Sequence, residues 1–208
     1  MDKGYWDEYY NKHYRKSSIS KNSTFADFCS RKYLSSQKTI VELGCGNGRD
    51  AKFFAKNNHL VYALDQSINN GIIESNNLDN LNFIEEDFVR CNFDFCKKID
   101  VFYSRFTIHA ITSEDQNHLI PKIYNILNPK GLFCIEARTT NDPKFKKGEH
   151  ISDTTYLYDG HMRRFIDSQQ FLKSVLSLGF KIKYFEESND LSVYKDDNPV
   201  LMRIILEV

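Results

Sequence analysis

The fold is decided at residues 39–50, which read TIVELGCGNGRD. Thr39 to Leu43 is a β-branched run that predicts a buried strand, and residues 50–57 have helical spacing with apolar residues on one face. Between the two, three glycines at alternate positions let the backbone turn tightly and leave no side chain between the main chain and a ligand. The stretch therefore predicts a strand, a ligand-binding turn and a helix.

The glycine spacing separates two kinds of nucleotide site. A nicotinamide dinucleotide site requires its third glycine one place later, for close helix–strand packing, and that place holds Arg49. Acids stand at the ends of three predicted strands: Glu42, Asp65, and Asp87 with Phe88 beside it. The pattern predicts either the cationic end of a cofactor or a backbone amide at Glu42. It predicts ribose hydroxyls at Asp65 and an adenine at Asp87 and Phe88.

Strand-like and helix-like segments alternate from residue 39 onward. Further strands are predicted at 60–65, 81–87, 100–104 and 132–137, and helices from 67, over 113–127 and over 167–178. Residues 113–116 resemble a capping box, and Pro121 should kink the helix that follows or split off its first turns. Two final strands, 180–185 and 200–208, have no helix between them and should form an antiparallel hairpin. The predicted fold is α/β: a Rossmann-like, doubly wound sheet of about seven strands, mostly parallel, with that hairpin at one edge and helices on both faces.

Three of these motifs together resemble those of class I methyltransferases that depend on S-adenosylmethionine (SAM). They are ELGCGNGRD at 42–50, the acid Asp65, and EDF at 86–88. The resemblance in element order covers 39–208, and it implies SAM as the cofactor and S-adenosylhomocysteine as the product. The cofactor-binding residues that it implies are Tyr5, Trp6, Glu42, Gly44, Cys45, Gly46, Arg49, Asp65, Gln66, Asp87, Phe88 and Ser104. The aromatic start at 5–10 resembles a segment that covers the donor, with plain hydrophobic packing as the open alternative.

Strand four should deliver residues 103–109 to the reacting centre, since ligands bind beyond the carboxyl ends of such strands. His109 is the best candidate for a catalytic base because its ordinary pKa lies near neutrality. The alternative is a histidine that is hydrogen-bonded at a helix start. Arg105 is predicted to act with it, by binding the donor's carboxylate or an anionic acceptor, or to bind only a neighbouring acid.

The segment 138–166 is a long insertion where a short connection would serve, and such loops are often functional. Its cationic residues predict an anion site for the acceptor, and the alternative is a solvated basic loop balanced by Glu149, Asp153 and Asp159. The predicted acceptor-binding residues are Tyr10, Arg138, His150, His161, Arg163 and Arg164. The GCGNGR loop and the RRF sequence at 163–165 resemble small bacterial methyltransferases of the tellurite-resistance and thiopurine type and those of capsular polysaccharide clusters. The resemblance implies O-methylation of a small, anionic, phosphorylated or nucleotide-linked metabolite in surface polysaccharide synthesis.

Composition limits the partners and the location. Lys and Arg number 28, as do Asp and Glu, so the chain lacks the positive field that nonspecific nucleic-acid binding needs. No apolar run approaches the roughly 20 residues that span a bilayer, and the polar start is unlike a signal peptide, which favours the cytoplasm and no membrane partner. Five cysteines without a C-x-x-C pair predict reduced thiols and no metal site.

The sequence predicts one domain over residues 1–208. Its parts are a helical cap at 1–38, a SAM-binding core at 39–137, an acceptor-site insertion at 138–166, and a final helix with closing strands at 167–208. Two other functions stay open at this point: an NAD-type oxidoreductase, which Arg49 disfavours, and a non-catalytic SAM-binding module. Methylation of RNA or protein is a further alternative.

Overall fold

The computed structural model describes residues 21–68, 76–158 and 160–208 together with Gly4 and Ile73, except the side chain of His161. Its helices and strands, with one short 3-10 helix at Ile108–Ala110, follow in chain order. They are α1 (Thr24–Tyr33), β1 (Thr39–Leu43), α2 (Arg49–Lys56), β2 (Leu60–Asp65), β3 (Leu81–Glu85), β4 (Ile99–Arg105), α3 (Ser113–Ile126), β5 (Leu127–Arg138), β6 (Glu149–Ser152), β7 (Thr155–Tyr158), β8 (His161–Arg164), α4 (Ser168–Ser177), β9 (Lys181–Ser188) and β10 (Leu201–Glu207).

Seven of these strands form one sheet in the order β3-β2-β1-β4-β5-β10-β9. β1 pairs parallel with β2, with Thr39 opposite Leu60, and β2 pairs parallel with β3. β10 pairs antiparallel with both β5 and β9, with Leu201 opposite Arg138 on one side and Ser188 on the other. The predicted fold is confirmed, including the closing hairpin. The sheet order reverses between β1 and β4, which is where ligands bind in sheets of this kind.

The chain divides into two compact units, one at 2–103 and one at 104–208. In the first, the centre of β2 is fully buried, since Val61, Ala63 and Leu64 have no exposed surface. The ring of Tyr103 packs at 5.2 Å from that of Phe25 on α1 and at 5.0 Å from that of Phe54 on α2. Aromatic packing of this kind fixes both helices to the body of the unit.

In the unit at 104–208, β10 is buried along most of its length because it lies between β5 and β9. The prediction of a long loop at 138–166 needs correction, because this segment contains a separate three-stranded antiparallel sheet, β6-β7-β8. Its strands have only four residues each and carry His, Arg and Tyr in place of a β-branched apolar run. Such short polar strands give a weak periodic signal, so the sequence pattern predicts a loop where the structure has a sheet.

Three local predictions need correction. The N-cap of α3 is Thr112, whose side chain accepts from the backbone N–H of Asp115, so the cap lies one residue before the predicted box. α3 is a single helix through Pro121, since its buried face of Leu119, Ile120 and Ile123 holds it against the unit. β5 begins directly after α3, five residues earlier than predicted. The helix predicted from residue 67 falls mainly outside the described residues. Among those that are described, no helix is long and apolar enough to cross a membrane.

Candidate functional site

The glycine loop, residues 44–48, follows β1 and leads directly into α2. Gly44, Gly46 and Gly48 all have a left-handed backbone, with φ angles of 73°, 54° and 69°. This conformation costs a residue with a Cβ atom about 1–2 kcal/mol, and glycine adopts it freely. The alternate spacing of the three glycines therefore follows from the geometry of the turn.

Asp65, the last residue of β2, holds the glycine loop in place. Its Oδ2 accepts a hydrogen bond of 2.8 Å from the backbone N–H of Gly46, and its Oδ1 accepts one of 3.1 Å from that of Ser67. The backbone N–H of Cys45 also donates to the carbonyl of Leu64 at 2.8 Å. The predicted ribose acid is thus joined directly to the loop that it was predicted to act with.

Glu42 lies one residue before the end of β1 and is only 4% exposed. Its Oε2 is buried and has no hydrogen-bond partner among the described residues. Burial raises its pKa well above the ordinary 4.5, the carboxylates of Asp50 and Asp65 add to this, and Arg49 partly offsets it. Because a buried acceptor without a donor costs about 1–3 kcal/mol, Glu42 is suited to bind a cationic group of a ligand.

Gln66 carries a second buried polar atom without a hydrogen-bond partner among the described residues. This atom is its Nε2. Gln66 directly follows Asp65, and its amide nitrogen is a donor, whereas the orphan atom of Glu42 is an acceptor. Two predicted cofactor residues therefore hold unsatisfied groups of opposite type.

The remaining predicted cofactor residues of this unit are more fully engaged by the protein. The Oδ1 of Asp87 accepts from the backbone N–H of Val89 at 3.0 Å, which closes a tight turn after β3. Phe88 is 2% exposed, so its ring packs inside the unit. Arg49 lies 3.9 Å from Asp50. Burial raises the pKa of the Cys45 thiol, which keeps it protonated.

A buried network around Asp50 was missed by sequence reasoning. The backbone N–H and the hydroxyl of Ser23 each donate to Asp50 at 2.7 Å, and the Tyr103 hydroxyl donates at 2.8 Å. Ser23 is the N-cap of α1, so the network joins the start of α1 to the first turn of α2. The cap pattern at Ser23 was readable, but its partner stands 27 residues away in the chain.

Three predicted residues near the amino terminus, Tyr5, Trp6 and Tyr10, lie outside the described residues, as does the side chain of His161. Their roles stay predictions.

In the unit at 104–208, Arg105 is held by a buried acid. Its Nε donates to Glu136 at 2.9 Å, its Nη2 donates to the Ser192 hydroxyl at 2.7 Å, and its guanidinium lies 4.2 Å from the centre of the Phe106 ring. Glu136 has no exposed surface, and its other oxygen accepts from Arg203 at 2.6 Å. Of the three partners predicted for Arg105, the structure contains the neighbouring acid, which is Glu136. An acid inside the apolar strand β5 was the signal for this cluster, which sequence reasoning did not use.

His109 lies in the 3-10 helix that follows β4. Its Nδ1 accepts a hydrogen bond of 3.1 Å from the backbone N–H of Arg138. A neutral imidazole that accepts at Nδ1 carries its proton on Nε2, so that nitrogen is a donor. The geometry therefore fits a positioning role for His109 better than that of a base. Ser104, predicted to contact the cofactor, is buried and lies 2.5 Å from the Thr107 hydroxyl.

Arg138, at the end of β5, is neutralised by two acids. It donates to Asp142 at 2.7 Å and also to Asp197, in the connection between β9 and β10. Lys144 contacts the same Asp197 at 2.9 Å. Partial burial would raise the pKa of Asp197, but the hydrogen bonds from Lys144 and Arg138 outweigh it and lower that pKa.

The sheet β6-β7-β8 separates the other predicted acceptor residues. His150 is opposite Tyr156, and Tyr156 is opposite Arg163, so these three share one face. The Nε of Arg163 is buried and has no partner among the residues described. Arg164 alternates to the opposite face, where it donates to the carbonyls of Ile108 and Ile111 and to Gln116. The predicted acceptor cations whose side chains are described, Arg138, His150, Arg163 and Arg164, therefore do not form one cluster.

Part of this chain matches a known domain family. Residues 40–131 match a methyltransferase domain. The matched segment begins in β1 and includes the glycine loop, Asp65 and Asp87. No curated protein sequence matches the chain.

Solved methyltransferases share its fold. One is the 1,6-didemethyltoxoflavin-N1-methyltransferase of Burkholderia thailandensis with bound substrate and S-adenosylhomocysteine, at 12% identity and a TM-score of 0.74, covering 99% of this chain and 86% of that one. A SAM-dependent methyltransferase from Clostridium acetobutylicum has 13% identity and a TM-score of 0.69, covering 98% of each chain. The glycopeptide N-methyltransferase MtfA has 16% identity and a TM-score of 0.65, covering 92% of this chain and 97% of its own.

At these identities the shared structure shows a methyltransferase fold. Together with the matched domain it supports the prediction of a class I SAM-dependent methyltransferase, with SAM as the cofactor and S-adenosylhomocysteine as the product. The finer resemblance to tellurite-resistance, thiopurine and capsular enzymes stays a prediction.

Proposed function

We propose that this protein transfers a methyl group from SAM to a small metabolite. The observation that carries the proposal is the glycine loop with its two flanking orphan atoms, Glu42 Oε2 and Gln66 Nε2. A buried acceptor beside three left-handed glycines suits a ligand that brings a cation close to bare backbone. The buried donor suits a hydroxyl or carboxylate oxygen. SAM carries all of these groups.

The residues of the first unit would hold the cofactor in distinct ways. Glu42 would accept from its cationic end, the glycine loop would contact its methionine and ribose portions, and Asp65 would accept from its ribose hydroxyls. When bound, SAM supplies an electrophilic methyl group on a good leaving group. The protein then needs mainly to align the acceptor and to exclude water. Arg49, Cys45, Asp87, Phe88, Ser104, Tyr5 and Trp6 complete the proposed cofactor set.

The acceptor, in this proposal, is a small anionic metabolite that is methylated at oxygen, such as a phosphorylated or nucleotide-linked precursor of a surface polysaccharide. Arg163 supports an anionic acceptor, because its buried Nε has no partner among the described residues and shares a face with His150. His109, whose Nδ1 accepts from the backbone N–H of Arg138, would act near the acceptor as a positioning group. Arg138 would take part only where the acceptor displaces Asp197.

These proposed roles assign a function to each segment of the chain. We assign the cofactor to a core at 39–137 and the acceptor to the insertion at 138–166, with a cap at 1–38 and the closing elements at 167–208, all in one domain.

Calorimetric titration tests the cofactor. SAM and S-adenosylhomocysteine should bind to the wild type, and NAD should not. Glu42→Gln and Gln66→Ala should each weaken SAM binding by about tenfold, which corresponds to about 1.4 kcal/mol. Glu149→Gln, an exposed acid on β6, is the matched control and should bind as the wild type does. Binding of NAD in place of SAM would overturn the proposal in favour of an oxidoreductase.

Turnover needs a separate measurement. Labelled SAM with a panel of phosphorylated sugars and nucleotides should give a methylated product, and Arg163→Ala should lower its yield without changing SAM affinity. A protein that binds SAM tightly and methylates nothing across broad panels would instead be a non-catalytic SAM-binding module.

A further inference from the structure

The unit at 104–208 contains a cavity that none of the roles above uses. Its volume is about 380 Å³, and it lies among the first turns of α3, the first turns of α4, the turn between β6 and β7, and the end of β8 with the residues that follow it. Cavities of roughly 300–1,000 Å³ with a few fixed polar groups are the usual sites for small molecules. We propose that this cavity binds a neutral, polyhydroxylated ligand of about monosaccharide size.

Two buried side chains that line the cavity, Arg164 and Gln116, each have a hydrogen-bond donor left over. Arg164 uses its Nε and Nη2 on the carbonyls of Ile111 and Ile108 and on the Oε1 of Gln116. Its Nη1 has no partner among the described residues. Since Gln116 accepts through its oxygen, its amide nitrogen is the donor that remains for a ligand. Burial lowers the pKa of Arg164 to about 10, partly offset by Asp153 and Asp115, so it is charged at neutral pH.

The exposed side of the cavity supplies acceptors. Asp153 accepts from the Ser113 hydroxyl at 3.1 Å through one oxygen, and Asp167 accepts from the backbone N–H of Gln170 at 3.0 Å through one oxygen. The second oxygen of each carboxylate, like the side-chain amide of Asn117, has no partner in the part of the chain that is described. Each amide group both donates and accepts.

This set of groups selects the class of ligand. Donors from buried lining residues and acceptors from exposed ones match a ring that carries several hydroxyls, each of which donates and accepts. Apolar walls from Phe165, Ile166 and Phe171 match the carbon face of such a ring. An anion is disfavoured, because the carboxylates of Asp153 and Asp167 line the cavity with a single guanidinium, that of Arg164, whose other N–H groups are already bound.

The inference stands apart from methyl transfer, and its test separates the two. The full chain is titrated with neutral monosaccharides (glucose, galactose, mannose) and with inorganic phosphate, while the amide signals are followed by NMR. SAM binding is measured in parallel. At least one sugar should shift the side-chain amide signals of Asn117 and Gln170 and reach saturation, and phosphate should not.

Matched variants locate the site. Gln170→Ala removes a lining amide but keeps the backbone N–H that caps α4, and Gln169→Ala changes its exposed neighbour outside the lining. Sugar affinity should fall by about fivefold in the first, the cost of about one hydrogen bond, and by less than about twofold in the second. Saturable phosphate binding without sugar binding, no sugar binding at all, or equal effects of the two variants would each overturn the inference. SAM binding that persists through such a failure leaves the proposed function intact.

Discussion

The glycine loop at 44–48 carries the proposed cofactor contacts, and the basic segment at 138–166 carries the proposed acceptor contacts. The two regions differ in what determines their structure. The loop is set by backbone conformation: three glycines in the left-handed region, held by Asp65. The basic segment is set by which acids and carbonyls its arginines meet. Backbone requirements leave a local mark in the sequence, and side-chain partnerships across the fold do not.

Two of the three arginines of the basic segment are already bound by other groups of the protein. Arg138 is bound by Asp142 and Asp197, and Arg164 by two carbonyls and Gln116. Arg163 keeps a buried nitrogen without a partner among the described residues. The number of cations in a segment therefore overstates the charge that it offers to a ligand.

The largest expected effect separates neighbouring arginines. Arg164→Ala leaves two buried carbonyls and the Gln116 oxygen without donors and should lower the free energy of unfolding by about 3 kcal/mol or more. Arg163→Ala breaks no hydrogen bond of its buried Nε and should cost less than about 1 kcal/mol. Urea denaturation of both variants measures the difference. Equal losses would mean that the two arginines play the same part, contrary to the contacts seen here.

The next test asks whether the glycine loop binds SAM or only forms a turn between β1 and α2. Gly46→Ala places a side chain at a φ of 54° and should cost about 1–2 kcal/mol of stability. Gly160→Ala is the matched control, since its φ is 68° and an added Cβ would meet nothing within 4 Å. The two variants should lose similar stability by thermal denaturation, but only Gly46→Ala should lose SAM binding in calorimetry. Unchanged SAM affinity in Gly46→Ala would remove the loop from the cofactor site.

The same contrast explains how far the sequence could predict the molecule. The bounds of β1 and β2 agree with the prediction because both are buried apolar runs that stop at a glycine or an acid. The sheet β6-β7-β8 was missed because its strands are short and polar. The contact between Glu136 and Arg203 spans 67 residues, and only the register of β5 with β10 brings them together.

A third test uses the pH dependence of Glu42. Its raised pKa means that the folded chain keeps a proton that the unfolded chain releases near pH 4.5. Stability from this group is therefore full below that pH and falls as pH rises towards the folded pKa. Without SAM, Glu42→Gln should lack this loss and should be more stable than the wild type at neutral pH.

Urea denaturation from pH 4 upward, a range that begins near the unfolded pKa of about 4.5, measures this difference. Glu149→Gln, whose acid is exposed, should follow the wild type at every pH. Glu42→Gln should gain stability and lose SAM affinity. Together these two results would show that the buried acid serves ligand binding at a cost in stability. A parallel pH dependence of wild type and Glu42→Gln would contradict the burial argument.

The smallest expected effect concerns the charge that Asp197 removes from Arg138 and Lys144. Asp197→Asn should cost less than about 1 kcal/mol of stability, because the ion pairs are partly exposed and screened. It should nevertheless raise the affinity for inorganic phosphate by a few-fold at low salt, since Asp142 is then the only acid among the described residues that balances Arg138 and Lys144. Asp196→Asn, at an exposed neighbouring acid, is the control and should bind phosphate as the wild type does. If both variants bind phosphate with the same affinity, Arg138 is a structural arginine, as Arg164 is. The proposed acceptor site then consists only of the face of the sheet β6-β7-β8 that carries Arg163.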